Sequence, residues 1–274
     1  MPYSRLSHNA VVLDARRVDL TDRLWSTGFA SGYGVYETMR IDAGRLRYAD
    51  EHSARLLHSA HLIDLAHLWN VDQIVHAALS LVESLVIADG VRDFNLRMLL
   101  LGAASASRAE LWMHAQDRHT PTADMYATGV TACTVQATRY LPLAKSMGQL
   151  AAYQAYRSAS TAGHYEALLV QPDGLICEGS RSNFVALRDE ALWVAPRTSV
   201  LGGVTQGHVE RIARELGLAV QDGGIYRQDL MHCQAAWLCG TSIGMLPLSA
   251  VDGVALTVNE AVALHLQQRY QQSR

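Results

Sequence analysis

The hydrophobic pattern in the first part of the chain predicts two strands and two helices. Residues 34–41 (GVYETMRI) alternate between apolar and polar side chains, as a half-buried strand does, and residues 94–103 (FNLRMLLLGA) are typical of a fully buried one. Asp50 is placed to cap a helix that runs through SARLLHSAHLI. Asn70 begins a second helix with a continuous apolar stripe, and Gly90 ends it.

Short strands dominate the second part of the chain. The stretches EALLVQ, LICEG, NFVALR and ALWVAP are apolar and separated by turn residues, so we expect a run of antiparallel strands. A helix is expected between Lys145 and Gly163, and another begins at Thr205 and ends at Gly217. Residues 235–240 (AAWLCG) predict a further buried strand.

A polar segment separates the two parts. Residues 114–124 (HAQDRHTPTAD) are polar and contain a proline, as expected of a linker between domains. We therefore predict an α+β fold in two domains. The smaller N-terminal domain is expected at 1–115, the linker at 116–124 and the larger, strand-rich C-terminal domain, which carries Lys145, at 125–274.

Composition and charge exclude several classes of protein. Apolar residues make up 49% and charged residues 18% of the 274-residue chain, as in an ordinary globular enzyme. The net charge is −3 and the arginines are scattered, so neither nucleic acid nor an anionic membrane is an expected partner. The four cysteines form no C-x-x-C pair, and the N-terminal residues lack the apolar segment of a signal peptide. The apolar stretches are too interrupted to predict a membrane span, so we expect a cytoplasmic protein.

Lys145, in LPLAKSMGQL, is the only lysine of the chain, and the other 22 of the 23 basic residues are arginine. Arginine replaces lysine well in surface ion pairs and phosphate contacts, but it cannot supply a neutral amine that attacks a carbonyl. Burial and nearby charge can lower the pKa of a lysine far enough for that chemistry. The apolar residues before Lys145 favour such a nucleophile, although the stretch alone is also compatible with an ordinary surface lysine.

Three further segments are suited to hold a charged ring and a phosphate. Glu178 ends an apolar strand, where a carboxylate is costly unless it has a cationic partner such as a protonated ring nitrogen. Two glycines precede the helix at Thr205, whose first turn has no acidic residue, so its backbone N–H groups can bind an anion. Residues 239–244 (CGTSIG) add hydroxyl groups at a strand end. Taken singly, these segments also fit a turn-capping glutamate and a glycine loop before a helix.

Taken in order, the segments resemble the class IV aminotransferases, which are pyridoxal-phosphate enzymes of fold type IV. The matching stretches are SGYGVYETMR, DEHSARL, the lysine, YEALLVQPDGLICEGSRSN, LGGVTQGHVERIARELG and GTS. Glu178 follows Lys145 by 33 residues, as it does in the family. The family includes D-amino-acid and branched-chain aminotransferases and aminodeoxychorismate lyase. The resemblance implies the two-domain fold of that family and a homodimer.

The resemblance also implies which residues act. Lys145 would form the internal aldimine with pyridoxal 5′-phosphate, Glu178 would face the pyridine nitrogen and Arg55 would bind the phosphate. The implied cofactor-binding residues are Lys145, Glu178, Arg55, Leu201, Val204, Thr205, Thr241 and Ser242. The candidates for binding the substrate, its carboxylate above all, are Tyr36, Arg40, Arg97 and Arg108.

The implied reaction transfers an amino group between an amino acid and a 2-oxo acid. The amino acid would be of the D-amino-acid or branched-chain type. The alternative within the family is 4-amino-4-deoxychorismate lyase, which eliminates pyruvate with the same cofactor. A binding protein without chemistry is a further alternative, and it predicts a colourless purified protein.

One motif suggests a serine hydrolase. GTSIG matches G-x-S-x-G with Ser242 as nucleophile, and Asp252 and His265 follow in the order of the α/β-hydrolases. That motif requires a helix directly after the serine, whereas residues 245–247 (MLP) predict an extended strand or turn. The hydrolase is therefore the remote alternative.

A group of histidines suggests a metal site. His52, His58, His61 and His67 lie close together in sequence, but the pair at i, i+3 has no third ligand at a recurrent zinc spacing. We interpret them as solvated helix histidines and expect no metal.

Overall fold

The protein is described by a computed structural model over residues 11–13, 16–18, 31–102, 109–258 and 261–272. The strands and helices within these ranges position the residues that the sequence singles out. Arg108 lies outside the described residues.

Two compact units make up the chain. They comprise Met1–His119 with Ala144–Gly148, and Thr120–Leu143 with Gln149–Arg274. The first boundary lies inside the predicted linker 116–124. The segment around Lys145 belongs with the first unit, whereas the sequence-based division placed it in the C-terminal domain.

The first unit is built around a small antiparallel sheet. Its elements in chain order are β1 (Val11–Leu13), β2 (Arg16–Val18), β3 (Gly34–Asp42), β4 (Arg45–Leu46), α1 (Ala49–Leu62), α2 (Val71–Asp89), β5 (Phe94–Leu101) and β6 (Glu110–Gln116). Strands β1 and β2 pair with each other, and the other four follow the order β4-β3-β5-β6. Successive side chains of a strand point to opposite faces. One face of the sheet packs against both helices, with Met39 and Met98 from the strands and Leu56 and Ile74 from the helices in the core.

Strands β3 and β5 confirm the predictions at 34–41 and 94–103. Helix α2 begins as predicted, because the Asn70 side chain accepts a hydrogen bond from the Gln73 backbone N–H and the Gln73 side chain accepts one from the Asn70 backbone N–H. It ends at Gly90, which adopts the left-handed conformation with φ 68°.

The start of α1 differs from the prediction. Tyr48, not Asp50, is the N-cap residue; it has φ 54° and makes no side-chain cap hydrogen bond. Asp50 lies in the first turn, where a negative charge still interacts favourably with the helix dipole.

Helix α2 contains a longer apolar stretch than the sequence pattern predicted. Within the described residues, Val71–Ala88 is long and apolar enough to cross a membrane by length and composition, and 28% of it is buried. Its side chains Ile74, Ala78 and Val82 pack into the core of the first unit. The predicted apolar stripe therefore faces the sheet.

The second unit is richer in strands. Its elements are α3 (Ala123–Thr128), β7 (Val130–Gln136), α4 (Leu150–Thr161), β8 (Glu166–Val170), β9 (Leu175–Gly179), β10 (Asn183–Arg188), β11 (Ala191–Val194), α5 (Val204–Glu215), β12 (Ala219–Asp222), β13 (Ile225–Tyr226), a 3₁₀ helix (Arg227–His232), β14 (Ala235–Gly240), β15 (Gly244–Val251), β16 (Val254–Ala255) and α6 (Ala261–Gln272). The two units together confirm the predicted α+β class.

The strands of the second unit form a sheet that closes on itself. Within the described residues, the order is β12-β11-β10-β14-β15-β7-β8-β9-β13, with β16 beside β15. Strand β9 also pairs with β10, where Glu178 lies opposite Asn183. The predicted antiparallel run from β8 to β11 is confirmed, but β7, which lies parallel to β8 and β15, was not predicted. The closure fixes Glu178 between two strands.

Candidate active site

The segment that carries Lys145 pairs with the start of β3. The Tyr36 backbone N–H donates to the Lys145 carbonyl oxygen at 2.9 Å, and the Met147 N–H donates to the Gly34 carbonyl oxygen at 3.0 Å. Between these two hydrogen bonds, Ser146 forms an isolated antiparallel bridge with Val35 of β3. The carbonyl side of Lys145 is therefore held by the backbone of β3.

The N–H side of Lys145 is held by a helix. The Lys145 backbone N–H donates to Ser59 Oγ of α1 at 3.1 Å. Ser59 is fully buried, and so is Ala144, the residue before Lys145. Both backbone polar groups of Lys145 are thus fixed within the first unit.

Tyr36 has two cations close to its ring. Its ring centroid is 3.6 Å from Cζ of Arg97 and 4.7 Å from Nζ of Lys145. The Arg97 guanidinium also donates to Thr38 Oγ1 at 3.2 Å, across the β3–β5 pair. Cations within about 6 Å of an aromatic ring interact favourably with its π face. The structure therefore brings together three of the predicted residues: Tyr36, Arg97 and Lys145.

Arg55 forms a buried ion pair. Its Nε lies 2.6 Å from Glu37 Oε1 and its Nη2 lies 2.9 Å from Glu37 Oε2. His52 Nδ1 lies 2.9 Å from the same carboxylate, and both Glu37 and His52 are buried. His52 is therefore not a solvated helix histidine, and that interpretation was wrong for this residue.

The pKa values of this group follow from its burial and charges. Burial alone would raise the pKa of Glu37, but Arg55 and His52 outweigh it and hold that pKa well below its usual range. Burial lowers the pKa of His52, against the opposing effect of Glu37. Glu37 is therefore ionised, and it fixes the guanidinium of Arg55 in one orientation.

Arg40 is the other predicted substrate-binding arginine that lies within the described residues. Its Nε donates to both carboxylate oxygens of Asp42, at 2.7 and 2.8 Å. It lies on the same face of β3 as Tyr36, four residues farther along the strand. Its predicted role in substrate binding stays a prediction.

Glu178 lies at the edge of a small cavity in the second unit. Its side chain is buried, and Oε1 lies 3.5 Å from Nη1 of Arg139. The cavity has a volume of about 140 Å³ and is also lined by Cys177, Thr198 and Ser199. A buried carboxylate beside a cation stays ionised at much lower energetic cost than an isolated one.

The glycine loop before α5 is fitted to Asn183. The Asn183 amide donates to the carbonyl oxygen of Leu201 at 2.9 Å, and a Cβ at Gly203 would overlap the Asn183 side chain. At Gly202 nothing lies within 4 Å of such an added atom. The loop thus has one glycine required by close packing and one beside open space.

The N-terminus of α5 has the features that favour an anion. Gly203 is the N-cap residue, it makes no side-chain cap hydrogen bond, and the first turn has no acidic residue. The helix therefore begins at Val204, one residue before the predicted Thr205, and the Thr205 side chain is buried. Backbone N–H groups and the helix dipole at such an end attract a phosphate.

Thr241 and Ser242 form the turn between β14 and β15. Strand β15 begins at Gly244, so no helix follows Ser242 among these described residues. The Asp252 carboxylate accepts hydrogen bonds from Thr134 and pairs with Arg227. Because a nucleophile elbow needs a helix at that point, the serine hydrolase hypothesis was wrong.

Several residues that shape these sites were not predicted from the sequence. Glu37, Ser59 and Arg139 contact predicted residues directly, and Glu166 accepts hydrogen bonds from Ser180 and Ser182, which follow Glu178. One signal was present: Glu37 occupies the strand phase of Val35, Met39 and Ile41, so alternation alone puts a carboxylate on the core face. Within the described residues, no cluster of three acidic, histidine or cysteine side chains is suited to hold a metal.

Comparison with known proteins shows the family. The model of the family "Amino-transferase class IV" matches residues 34–251. A D-alanine aminotransferase of Bacillus licheniformis is 27% identical over 249 residues, which cover 86% of this chain and 83% of the relative.

Two solved structures show the same fold. The branched-chain aminotransferase of the archaeon Thermoproteus uzoniensis, solved with norvaline, has a TM-score of 0.84 at 24% identity, over 96% of this chain and 93% of that one. A Legionella pneumophila protein assigned as a 4-amino-4-deoxychorismate lyase has a TM-score of 0.81 at 18% identity, over 91% and 94% of the two chains. Because the family model covers most of the chain, from β3 to the end of β15, this protein belongs to the class IV aminotransferases.

Proposed function

We propose that this enzyme is a pyridoxal-5′-phosphate-dependent aminotransferase that uses Lys145. The observation that carries the proposal is the set of contacts made by this one lysine. Both of its backbone polar groups are hydrogen-bonded, and its Nζ lies 4.7 Å from the centre of the Tyr36 ring. A surface lysine needs no such support, whereas an amine that reacts with an aldehyde must be held in place.

The chemistry of the donor groups fits this cofactor. The buried Glu178 carboxylate, which lies beside the Arg139 guanidinium, suits a cationic pyridine nitrogen, and the N-terminus of α5, which has no side-chain cap, suits a phosphate. Open space at Gly202 leaves room for the phosphate to approach the backbone. We assign to phosphate binding Arg55, Val204, Thr205, Thr241 and Ser242, and to the ring face Leu201.

The cofactor, when bound, supplies an aldehyde and an electron-withdrawing ring that stabilises negative charge on the substrate Cα. The protein supplies the proton transfers. Lys145 Nζ would act as the base that accepts the proton from the substrate Cα, and its protonated form would then be the acid that gives the proton back. The charge of Arg97, above the Tyr36 ring, would orient the substrate carboxylate, and Glu178 would keep the ring nitrogen protonated.

The substrate class that we propose is an amino acid of the D-amino-acid or branched-chain type, with a 2-oxo acid as acceptor. The D-alanine aminotransferase of Bacillus licheniformis supports the first, because it matches most of the chain. A branched-chain aminotransferase of Pseudomonas aeruginosa, 24% identical over 259 residues, supports the second. We also propose a homodimer in the cytoplasm.

A panel of single half-reactions tests this function. The protein loaded with pyridoxal phosphate is mixed with D-alanine, D-glutamate, L-leucine, L-glutamate or 4-amino-4-deoxychorismate, and the cofactor spectrum and released products are followed. We expect conversion of the cofactor to its amine form with one stereochemical series, and loss of that conversion in Lys145→Arg and Lys145→Ala. Pyruvate release from the chorismate compound without the amine form would instead establish the lyase. Normal conversion by Lys145→Arg would contradict the proposal.

A further inference from the structure

We infer that Ser59 is a positioning residue for Lys145: its buried hydroxyl holds the Lys145 backbone so that the amine stays beside Tyr36. The inference rests on the proposed function of Lys145. Its structural basis is the hydrogen bond from the Lys145 N–H to Ser59 Oγ at 3.1 Å. Ser59 itself would not touch the cofactor or the substrate.

A serine at this position needs an explanation. Ser59 lies on the buried face of α1 among Leu56 and Ala60, and it is fully buried. Serine is a poorer helix former than alanine, and a buried hydroxyl is costly without a partner. The hydrogen bond from the Lys145 N–H offsets that cost, so we explain the buried hydroxyl of Ser59 by its contact with the Lys145 backbone.

The same helix offers a comparison within the molecule. Ser53 is also fully buried on α1, but its Oγ has no hydrogen-bond partner among the described residues. The two serines are alike in residue type, helix and burial, and they differ in the contact with Lys145. Ser53 is therefore a matched control for Ser59: replacing either serine removes a buried hydroxyl from α1, but only the change at Ser59 removes the contact with Lys145.

The contact completes a two-sided hold on the lysine. Tyr36 donates its N–H to the Lys145 carbonyl oxygen at 2.9 Å, so β3 holds one side of the residue and α1 the other. With both backbone groups fixed, the side chain leaves the backbone in a fixed direction. Misplacement of a reacting group by about 1 Å can cost about 100-fold in rate.

The single lysine makes a direct test available. Protein grown with [¹⁵N]lysine has one labelled backbone amide, that of Lys145, whose hydrogen exchange can be followed by NMR in wild type, Ser59→Ala and Ser53→Ala. In Ser59→Ala we expect exchange about fivefold faster, the change expected for one lost hydrogen bond, and wild-type exchange in Ser53→Ala. With pyridoxal phosphate added, kcat of Ser59→Ala should fall about tenfold with an unchanged KM for the amino donor. Ser59→Thr, which keeps the hydroxyl, should restore slow exchange.

Two results would overturn the inference. One is wild-type exchange of the Lys145 amide in Ser59→Ala. The other is equal acceleration in Ser59→Ala and Ser53→Ala, which would reflect loosening of α1 as a whole. The exchange measurement needs no cofactor, so it can be separated from the proposed function. If the proposed function were wrong, wild-type Lys145 would fail to react with pyridoxal phosphate, but Ser59→Ala would still speed exchange of the Lys145 amide.

Discussion

Glu37 places a carboxylate on the core face of β3, and its partners come from helix α1. Its neighbours in strand phase, Val35, Met39 and Ile41, are buried apolar side chains of the first core. A carboxylate there is tolerated because Arg55 pairs with both of its oxygens and His52 approaches one of them. A buried ion pair adds little stability beyond its own desolvation cost, but removing one partner leaves the other charge buried. The group therefore acts as a unit that sets the direction of Arg55.

Glu37→Gln should strongly destabilise the protein. We expect the free energy of unfolding at pH 7 to fall by about 3 kcal/mol, because the charge of Arg55 loses its buried partner. Denaturant unfolding of the protein without cofactor measures this. Glu83→Gln is the matched control: Glu83 is exposed on α2, and its change should stay within about 0.5 kcal/mol. Equal stability of Glu37→Gln and wild type would show that the ion pair contributes nothing.

The pH dependence of stability is a second test of the same residue. The pKa of Glu37 is depressed in the folded state, so the unfolded chain takes up a proton on this side chain first as the pH falls. Its contribution to the free energy of unfolding is therefore complete above the ordinary glutamate pKa of about 4.3 and decreases below it. Unfolding midpoints between pH 6 and pH 3 should fall less steeply in Glu37→Gln. An unchanged slope would contradict the assignment.

The junction of β10 with the loop before α5 is an element that was predictable only in part. Some of its features follow from signals within a few residues, and others follow from contacts between residues far apart in sequence. A helix after two glycines was predicted from the sequence, because the helix signals lie within a few residues. The close packing of Gly203 against Asn183 was not predicted, because these residues belong to different elements. The same distinction explains the strands: β3 was predicted from alternation, whereas β7 gains its place from pairing with β8 and β15. The capping box at Asn70 was local and predictable, and the left-handed Tyr48 before α1 was not.

Gly203→Ala should disturb this junction while Gly202→Ala should not. The added methyl group meets the Asn183 side chain at position 203 and open space at position 202. We expect Gly203→Ala to lower the free energy of unfolding by about 1–3 kcal/mol, as overpacking does. The two variants, compared by denaturant unfolding without cofactor, control for each other. An equal effect of both substitutions would mean that the fit against Asn183 does not constrain the loop.

At the scale of the whole molecule, the position of Lys145 could not be predicted from local patterns. Its segment belongs to the first unit although the chain on either side belongs to the second. Sequence resemblance identified the residue, and only the contacts with Tyr36 and Ser59 identify which elements hold it. The candidate site residues were thus proposed from residue types in order, whereas the groups that contact them could be found only in the structure.

The homodimer that we propose would use the exposed apolar side chains of the second unit. Large apolar side chains are exposed around the start of α4, among them Tyr140 at 93%, Leu150 at 70% and Tyr153 at 58%. Leu150 and Tyr153 lie three residues apart on α4 and therefore on the same side of the helix, and adjacent exposed apolar side chains are typical of subunit interfaces. We predict that Leu150→Asp with Tyr153→Asp shifts the protein from dimer to monomer in sedimentation analysis. Ile87→Asp, at an exposed apolar residue of the first unit, should leave the dimer intact. A wild-type monomer would contradict this proposal.

We propose above that Lys145 is the amine that reacts with the cofactor. The most direct measurement is to add pyridoxal phosphate, reduce with borohydride, digest the protein and locate the added mass. The chain has one lysine, so the N-terminal amine is the only competing site and serves as an internal control. We expect nearly complete modification of Lys145 in wild type and a trace at the N-terminus, with the first signal lost in Lys145→Arg. An unmodified Lys145 in the wild-type protein would contradict it.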